Sequence, residues 1–313
     1  MAPSERLTWI AEDPASQRLL ELAKKVADAS ATLLISGESG TGKDHFARYI
    51  HELGPRRDAP YLKIDCASLP PHLVESELFG HERGAFTGAV ERKLGRLEMA
   101  GAGTIVLDEV AALDAATQAK LLRVLQERSF ERLGGTETLR IAARLIALTN
   151  TDLPAAVAAG GFREDLYFRL NVLNIVVPPL RQRPADILPL AEHLLGTLRV
   201  VHGRPGATLS EASRRLLAAY SWPGNIRELR NVLERAVVFS EGGPLEPANF
   251  PEALRAAGGE AAALSGLRSL EEIEREAIAA TLEATHYGIS RAAEILGISR
   301  KTLLEKRKKY GLK

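Results

Sequence analysis

Residues 32–44, TLLISGESGTGKD, decide the reading of this chain. Leu33, Leu34 and Ile35 form a short apolar run without polar alternation, which suits a strand buried on both faces of a parallel sheet. Three glycines follow within six residues, and Lys43 opens a helical segment. The spacing G-x-x-x-x-G-K between a strand and a helix makes a phosphate cradle. Backbone N–H groups curl around the anion, the helix N-terminus adds its positive end, and the lysine reaches the outer phosphates. A Gly-rich turn that binds nothing is the alternative, and the strand-loop-helix context argues against it. The candidate nucleotide-binding residues here are Gly37, Glu38, Ser39, Gly40, Thr41, Gly42, Lys43 and Asp44. Asp44 stands where the pattern places Ser or Thr to hold magnesium, so the metal must be held mainly through another carboxylate or water.

Working outward, residues 104–109, TIVLDE, supply that carboxylate. Asp108 is placed to hold magnesium and Glu109 to polarise an attacking water. Two acids ending a strand are commonplace by themselves; about 65 residues downstream of a phosphate loop they are a Walker B candidate. Tyr61 to Asp65 and Arg144 to Leu148 are further apolar runs, and helices such as Gln118 to Arg128, with Leu121, Leu122 and Leu125 on one face, lie between them. The fold class is α/β, a P-loop parallel sheet flanked by helices, over residues 1–183. From about Pro184 helices take over: Asp186 to Val201, Ser210 to Tyr220 and Asn225 to Phe239, a small helical lid over residues 184–240. Asn225 with Glu228 three residues on reads as a capping box, which puts Arg227 in that helix's first turn.

Residues 241–268 are rich in Gly, Pro and Ala, carry little that could form a core, and read as a linker with a short helix near Pro251 to Arg255. An all-α domain follows over residues 269–313. Its first helix opens at Ser269, with Glu272 completing an S-x-x-E box and Leu270, Ile273, Ala277 and Leu282 as an apolar stripe. Arg291 to Leu296, the turn Gly297-Ile298-Ser299 and Arg300 to Tyr310 then make a helix-turn-helix pattern.

Net charge is +1, but the segment from Arg300 to Lys313 holds seven basic residues against Glu305 alone. Such a segment is either a solvated face or the electrostatic footprint of nucleic-acid contact. One cysteine, Cys66, excludes an internal disulfide, and the seven histidines lack zinc-ligand spacing. No apolar run approaches the ~20 residues of a membrane helix, and the first residues lack a signal-peptide pattern. A cytoplasmic protein without membrane partners is the expectation.

Two segments carry open alternatives. Arg163 and Arg169 in residues 161–170, GFREDLYFRL, are either surface ion-pair formers or arginines that act on a phosphoryl group in a neighbouring subunit. Phe86 lies between glycines in residues 84–89, GAFTGA, amid charged neighbours. It either tucks into the core or serves as a mobile contact for a partner.

Together these segments resemble the bacterial enhancer-binding proteins, sigma-54-dependent activators of the NtrC type within the AAA+ ATPases. The resemblance covers roughly residues 10–313 and rests most specifically on ESELFGHERGAFTGA, supported by GESGTGKD, GTIVLDE, FREDLYFRLNV, PPLRQR and WPGNIREL. It implies an enzyme that hydrolyses ATP with Mg2+ in a homo-oligomeric ring, a hexamer, binds enhancer DNA and remodels sigma-54 RNA polymerase into the open complex. By resemblance Gly84, Ala85, Phe86, Thr87, Gly88 and Ala89 contact sigma-54. The Walker B segment spans Ala100, Gly101, Ala102, Gly103, Thr104, Ile105, Val106, Leu107, Asp108 and Glu109. Asn150 is the sensor I residue, Arg163 and Arg169 the arginine fingers, and Arg227 the sensor II arginine. The last helices resemble a Fis-type helix-turn-helix, with Ser299, Arg300, Lys301, Thr302, Lys306 and Arg307 toward DNA.

The chain departs from the family pattern at Asp44, where Glu is usual, at Thr151, where Arg is usual, and at Asp65, where many members carry an Asn that restrains the Walker B glutamate. Fewer than about 30 residues precede the phosphate-loop strand, short of a sensory domain. The expectation is control by a regulatory protein in trans, or a piece of a longer regulator. Two other functions compete: a different AAA+ remodeller, and a DNA-binding regulator whose ATPase fold is only a scaffold. The intact GAFTGA and the terminal helix-turn-helix speak against the first, and the undegraded GAFTGA and Walker B segments against the second.

Overall fold

The computed structural model describes residues 9–240, 242–256, 270–285 and 287–311. The expected box of Ser269 with Glu272, and residues 241 and 257–268 of the expected linker, lie outside the described residues. The chain divides into two compact units, residues 1–251 and 252–313.

In the first unit, α1 (Pro14–Ala27) precedes β1 (Leu33–Ser36), α2 (Lys43–Leu53), β2 (Tyr61–Asp65) and α3 (Pro71–Phe79). Next come the short strands β3 (Gly80–His81) and β4 (Lys93–Leu94), then α4 (Arg96–Met99), β5 (Thr104–Asp108) and α5 (Ala115–Glu127). A second hairpin, β6 (Ser129–Glu131) and β7 (Thr138–Arg140), leads to β8 (Arg144–Thr149), α6 (Leu153–Ala158), α7 (Glu164–Leu170) and β9 (Leu173–Val176). The lid is α8 (Ile187–Val201), α9 (Glu211–Ala219) and α10 (Asn225–Phe239).

Five strands form an all-parallel sheet in the order β2-β5-β8-β1-β9. The alternation of side chains along each strand explains why these runs are apolar throughout. Ile105, Leu107, Leu145 and Ala147 pack on one side of the sheet, while Val106, Ile146, Leu148, Leu33 and Ile35 pack on the other against Phe46, Ala47 and Ile50 of α2. The four strands expected from sequence are present; β9, at the sheet edge and half exposed, and the two hairpins, whose strands are two or three residues long and leave no periodicity, are additional. The buried Arg144 guanidinium donates to the carbonyls of Ala27 and Val26 at 2.9 and 2.8 Å, satisfying the end of α1.

Two local expectations are corrected. Asn225 does not cap α10: Gly224 is the N-cap residue, and Glu228 Oε2 accepts its N–H at 2.7 Å. Residues 242–250, expected within a linker, pack on the lid, with Leu245 and Phe250 buried and Ser213 Oγ donating to Leu245 O at 2.7 Å.

The second unit contains α11 (Leu270–Ala284), α12 (Ile289–Ile295) and α13 (Arg300–Lys309). Ile278, Leu282, Ala292, Ala293 and Leu303 form its core. Ala277, expected on the apolar stripe, is exposed, and Ile278 takes the inward position. The turn before α13 uses Gly297 at φ 65°, a left-handed conformation that glycine adopts without Cβ strain.

Candidate functional site

In the order β5-β8-β1 the carboxyl ends of three adjacent parallel strands open on one edge of the sheet, where ligands bind in open α/β folds. The 37–42 loop leaves β1, Asp108 and Glu109 end β5, and Asn150 follows β8. The tertiary structure therefore gathers residues that are more than a hundred positions apart in sequence.

The loop is bound closely by its surroundings. A Cβ on Gly37 would stand 2.5 Å from the Val177 carbonyl oxygen, and one on Gly40 would stand 2.5 Å from the Gly224 carbonyl oxygen, so only glycine fits at either position. Lys43 lies in the first turn of α2, and its ammonium donates to Gly37 O and Glu38 O at 2.8 and 3.0 Å. Burial pushes its pKa down, while Glu109 and Asp108 pull it back up.

The lid meets the loop through polar contacts. Asn225, fully buried and at φ 53°, donates from Nδ2 to Glu38 Oε2 at 3.2 Å and Ser39 O at 3.0 Å, and its Oδ1 accepts Leu180 N–H at 2.7 Å. Arg227 Nη1 donates to Ser39 Oγ at 2.6 Å. Arg181 forms a two-point ion pair with Glu38, one contact at 2.8 Å. The Arg181 hydrogen bond, followed by that of Asn225, holds the Glu38 carboxyl down at about 2. Arg181 and Lys63 were given no role from sequence, and Asn225 only that of a helix cap; Arg181 lies in the quoted PPLRQR, but its partner is 143 positions away.

A cavity of about 400 Å³ lies beside the loop, walled by Trp9, Ile10, Leu190, Leu194 and Ile226, with Gly42 and Arg183 at its edge. Its apolar walls suit a planar base. Trp9 is held by Phe46 at 4.9 Å between ring centroids and by the Arg183 guanidinium 5.7 Å from its ring. Arg183 in turn donates to Thr41 O at 2.7 Å. Buried Asp186 fixes the chain before α1 by accepting the N–H groups of Glu12 and Asp13, both at 2.8 Å. A second cavity, about 680 Å³, is lined by Glu38, Ser39, Asn150, Gly224 and Arg227 among others.

On the opposite wall Glu109 sits at φ 53°, ψ 54°, a left-handed conformation that a non-glycine residue holds only under constraint from its surroundings. Its Oε2 accepts Asn150 N–H at 3.1 Å. Asp65 does not reach it: its Oδ1 accepts the N–H groups of Ala67 and Ser68 at 3.0 and 3.2 Å, closing a local turn. Thr151 Oγ1 donates to Asn150 Oδ1 at 3.3 Å. Asp108 Oδ2 lies 2.7 Å from Lys63 Nζ, and Asp44 Oδ2 lies 3.5 Å from the same atom. Of the expected Walker B stretch, Asp108 and Glu109 stand at this edge. Ala100, Gly101, Ala102, Gly103 and Thr104 lie at the other end of β5, about 13 Å away by strand rise, where they build the strand's entry. Ile105, Val106 and Leu107 are core.

Arg163 and Arg169 are both exposed, but Arg163 is the N-cap of α7 rather than inside it, and it pairs with Asp165 at 2.8 Å. Phe168 beside Arg169 is 64% exposed.

The 84–89 loop projects from β3. Its base is tied to the second hairpin: Glu82 N–H donates to Leu133 O at 2.9 Å, and Leu133 N–H to Gly80 O at 3.0 Å. Buried Arg132 joins Glu98 at 3.0 and 2.7 Å, Glu82 at 2.9 Å and Glu137 at 2.9 Å, an ion network that the sequence reading missed. Phe86 is 37% exposed, its ring edge-on to His81 at 5.0 Å. It is neither a core residue nor fully free.

In the second unit, Arg300 and Lys301 are exposed at the start of α13. Ser299 Oγ accepts Thr302 N–H at 3.1 Å, so it caps the helix. Lys306 is engaged with Glu274, which also accepts Tyr310 OH at 2.6 Å. That pairing diverts a charge expected to face DNA.

The sigma-54 interaction domain family matches residues 9–176. The chain belongs to the sigma-54 activator family. The AAA+ ATPase lid domain matches residues 181–266, and the Fis family of bacterial regulatory proteins matches residues 269–310. The transcriptional regulatory protein FlbD of Caulobacter vibrioides is 43% identical over 319 residues, covering 96% of this chain and 70% of FlbD. The regulatory protein AtoC of Escherichia coli is 45% identical over 311 residues, covering 97% and 68%. A crystal structure of NtrX from Brucella abortus in complex with ATP has a TM-score of 0.73 at 33% identity, covering 98% of this chain and 71% of NtrX. The fold is thus a P-loop AAA+ sheet with a lid and a C-terminal helix-turn-helix, and the chain is a transcription regulator of that type. No described helix is long and apolar enough to cross a membrane.

Proposed function

We propose that the chain hydrolyses ATP in a homo-oligomeric ring, six subunits by family resemblance, and uses that work to convert sigma-54 RNA polymerase at a promoter into the open complex while residues 269–313 hold enhancer DNA. The observation that carries this reading is the joining of two sites in one unit: a complete phosphate loop facing Glu109, and an 84–89 loop whose tip residues are exposed.

In this reading the N–H groups of residues 37–43 hold the phosphates, the slot around Trp9 takes the base, and Lys43 turns from the loop carbonyls to the outer phosphates. Asp108 and Asp44 are oxygen donors of the kind magnesium takes, so the residues present fit the metal. When bound, magnesium supplies charge neutralisation at the phosphates. Glu109 orients water, with Asn150 N–H fixing its carboxylate. Arg227 and Asn225 connect the phosphate loop to the lid, so a change in the loop is felt by the lid. Arg169 and, once released from Asp165, Arg163 act on the neighbouring subunit's nucleotide. The domains are taken as residues 1–183, a lid beginning at 184, and a DNA-binding domain from 269, in the cytoplasm; control by another protein in trans completes the proposal.

The test is a pair of substitutions read together. Lys43→Ala loses ATP binding, whereas Glu109→Gln binds ATP and hydrolyses it slower by orders of magnitude. Neither forms open complexes at a sigma-54 promoter. Normal turnover by Glu109→Gln, or open complexes formed without hydrolysis, overturns the reading.

A further inference from the structure

Lys63 has no place in the reading above, yet it stands in the metal side of the site. Its backbone lies on β2, paired with Val106 of β5, and Asp65 two residues on pairs with Asp108. The side chain runs along the face of the sheet and puts its ammonium 2.7 Å from Asp108 Oδ2 and 3.5 Å from Asp44 Oδ2. Two carboxylates from different elements, one after the phosphate loop and one at the end of β5, thus share one cation. Asp108 is only 19% exposed, so its charge is not dissipated in water. Lys43 does not duplicate this, since its ammonium is committed to the carbonyls of Gly37 and Glu38.

We propose that Lys63 is a built-in counter-ion for the Asp44–Asp108 pair, which it neutralises until magnesium arrives with nucleotide, and that it thereby sets how strongly nucleotide binding depends on the metal. The inference rests on the nucleotide-site reading above. The physical argument has two sides. Without a cation there, two carboxylates face the entering phosphates and repel them. With an ammonium there, a divalent ion must displace it from Asp108 before it can bind, so the metal alone is held off. Lys63 is a positioning residue for charge and touches neither water nor the transferred phosphoryl group.

The experiment uses the full chain and the fluorescent nucleotide methylanthraniloyl-ADP, titrated in excess EDTA and in excess Mg2+, together with melting temperature in Mg2+ without nucleotide. It compares wild type with Lys63→Met, Lys63→Gln and the charge-keeping Lys63→Arg. In EDTA the two neutral variants are expected to bind about three- to tenfold more weakly than wild type, the scale of a partly exposed charge pair. Mg2+ alone is expected to raise their melting temperature and to leave that of wild type unchanged. Lys63→Arg behaves as wild type in both. Should Lys63→Met fail to fold, Lys63→Gln carries the same test. Neutral variants that bind metal-free nucleotide as tightly as wild type, with no response to Mg2+ alone, overturn this inference and leave the nucleotide site standing. Wild type that binds nucleotide in neither condition overturns the site reading and this inference together.

Discussion

Replacing Phe86 by alanine separates a tool from a structural residue. Truncating a fully buried Phe costs about 3–5 kcal/mol. Phe86 is 37% exposed and has one ring partner, His81, edge-on at 5.0 Å. An aromatic pair of that kind contributes about 0.5–1.5 kcal/mol beyond area. A Cβ at Gly84 or Gly88 would meet open space, and the loop is closed by backbone bonds that do not need the ring, Gly84 N–H to Ala89 O at 2.8 Å and Ala89 N–H to Phe86 O at 3.0 Å. The expected cost is therefore about 1–2 kcal/mol, which for a unit of this size lowers the melting temperature by roughly 2–8 °C. Phe79, 1% exposed on α3 a few residues earlier, is the internal control, with an expected loss at least twice as large. Phe86→Ala should keep ring assembly and ATP hydrolysis while losing sigma-54 capture and open-promoter formation. The assays are melting, steady-state hydrolysis and co-migration with sigma-54 in the presence of an ATP transition-state analogue, on the same preparations. A Phe86→Ala protein that melts as early as Phe79→Ala and loses hydrolysis refutes the assignment as structural; one that opens promoters normally refutes it as mechanism.

Hydrolysis per subunit should rise with protein concentration, and Arg163→Ala should retain nucleotide binding while losing most turnover; a proven monomer with a concentration-independent rate contradicts the shared site. Glu38 has its pKa held down at about 2 by Arg181 and Asn225, so the loop-to-lid pairing is fully present above the ordinary carboxyl value near 4.5 and is lost as pH falls through about 2. Acid unfolding of Glu38→Gln should accordingly be flatter than that of wild type between those values, and an identical pH profile would remove Glu38 as a contributor; its exposure keeps the effect modest. Substituting Arg300 and Lys301 together should weaken DNA binding and reduce the salt slope by about two, one per lost phosphate contact, measured by titration at several salt concentrations. The matching change at Lys306 should do less, because Glu274 already holds it.

What the sequence determined by itself was whatever is written in neighbouring residues. The strand Leu33–Ser36, the glycines after it and Lys43 form one local unit, and the apolar runs ending at Asp108 and Leu148 are each read from a few positions because strands buried on both faces need every residue apolar, whereas Tyr61–Asp65, at the sheet edge, carries Lys63 within it. The helix-turn-helix was legible for the same reason, through the turn Gly297-Ile298-Ser299 between the segments Arg291 to Leu296 and the basic Arg300 to Tyr310. Only the tertiary structure decided how charges and polar groups pair, since their partners come from other segments. Arg132 finds Glu82, Glu98 and Glu137, Arg181 finds Glu38, and Lys63 finds Asp44 and Asp108. Asn225 has the composition of a helix cap, yet its amide is fully buried and takes its partners from Glu38, Ser39 and Leu180, because a buried amide left unpaired is costly. Asp65 likewise closes its own turn instead of reaching Glu109. A side chain's local propensity is worth a few tenths of a kcal/mol to about one, whereas an unpaired buried polar group costs about 1–3 kcal/mol, so where the two compete it is the packed structure that assigns the partner.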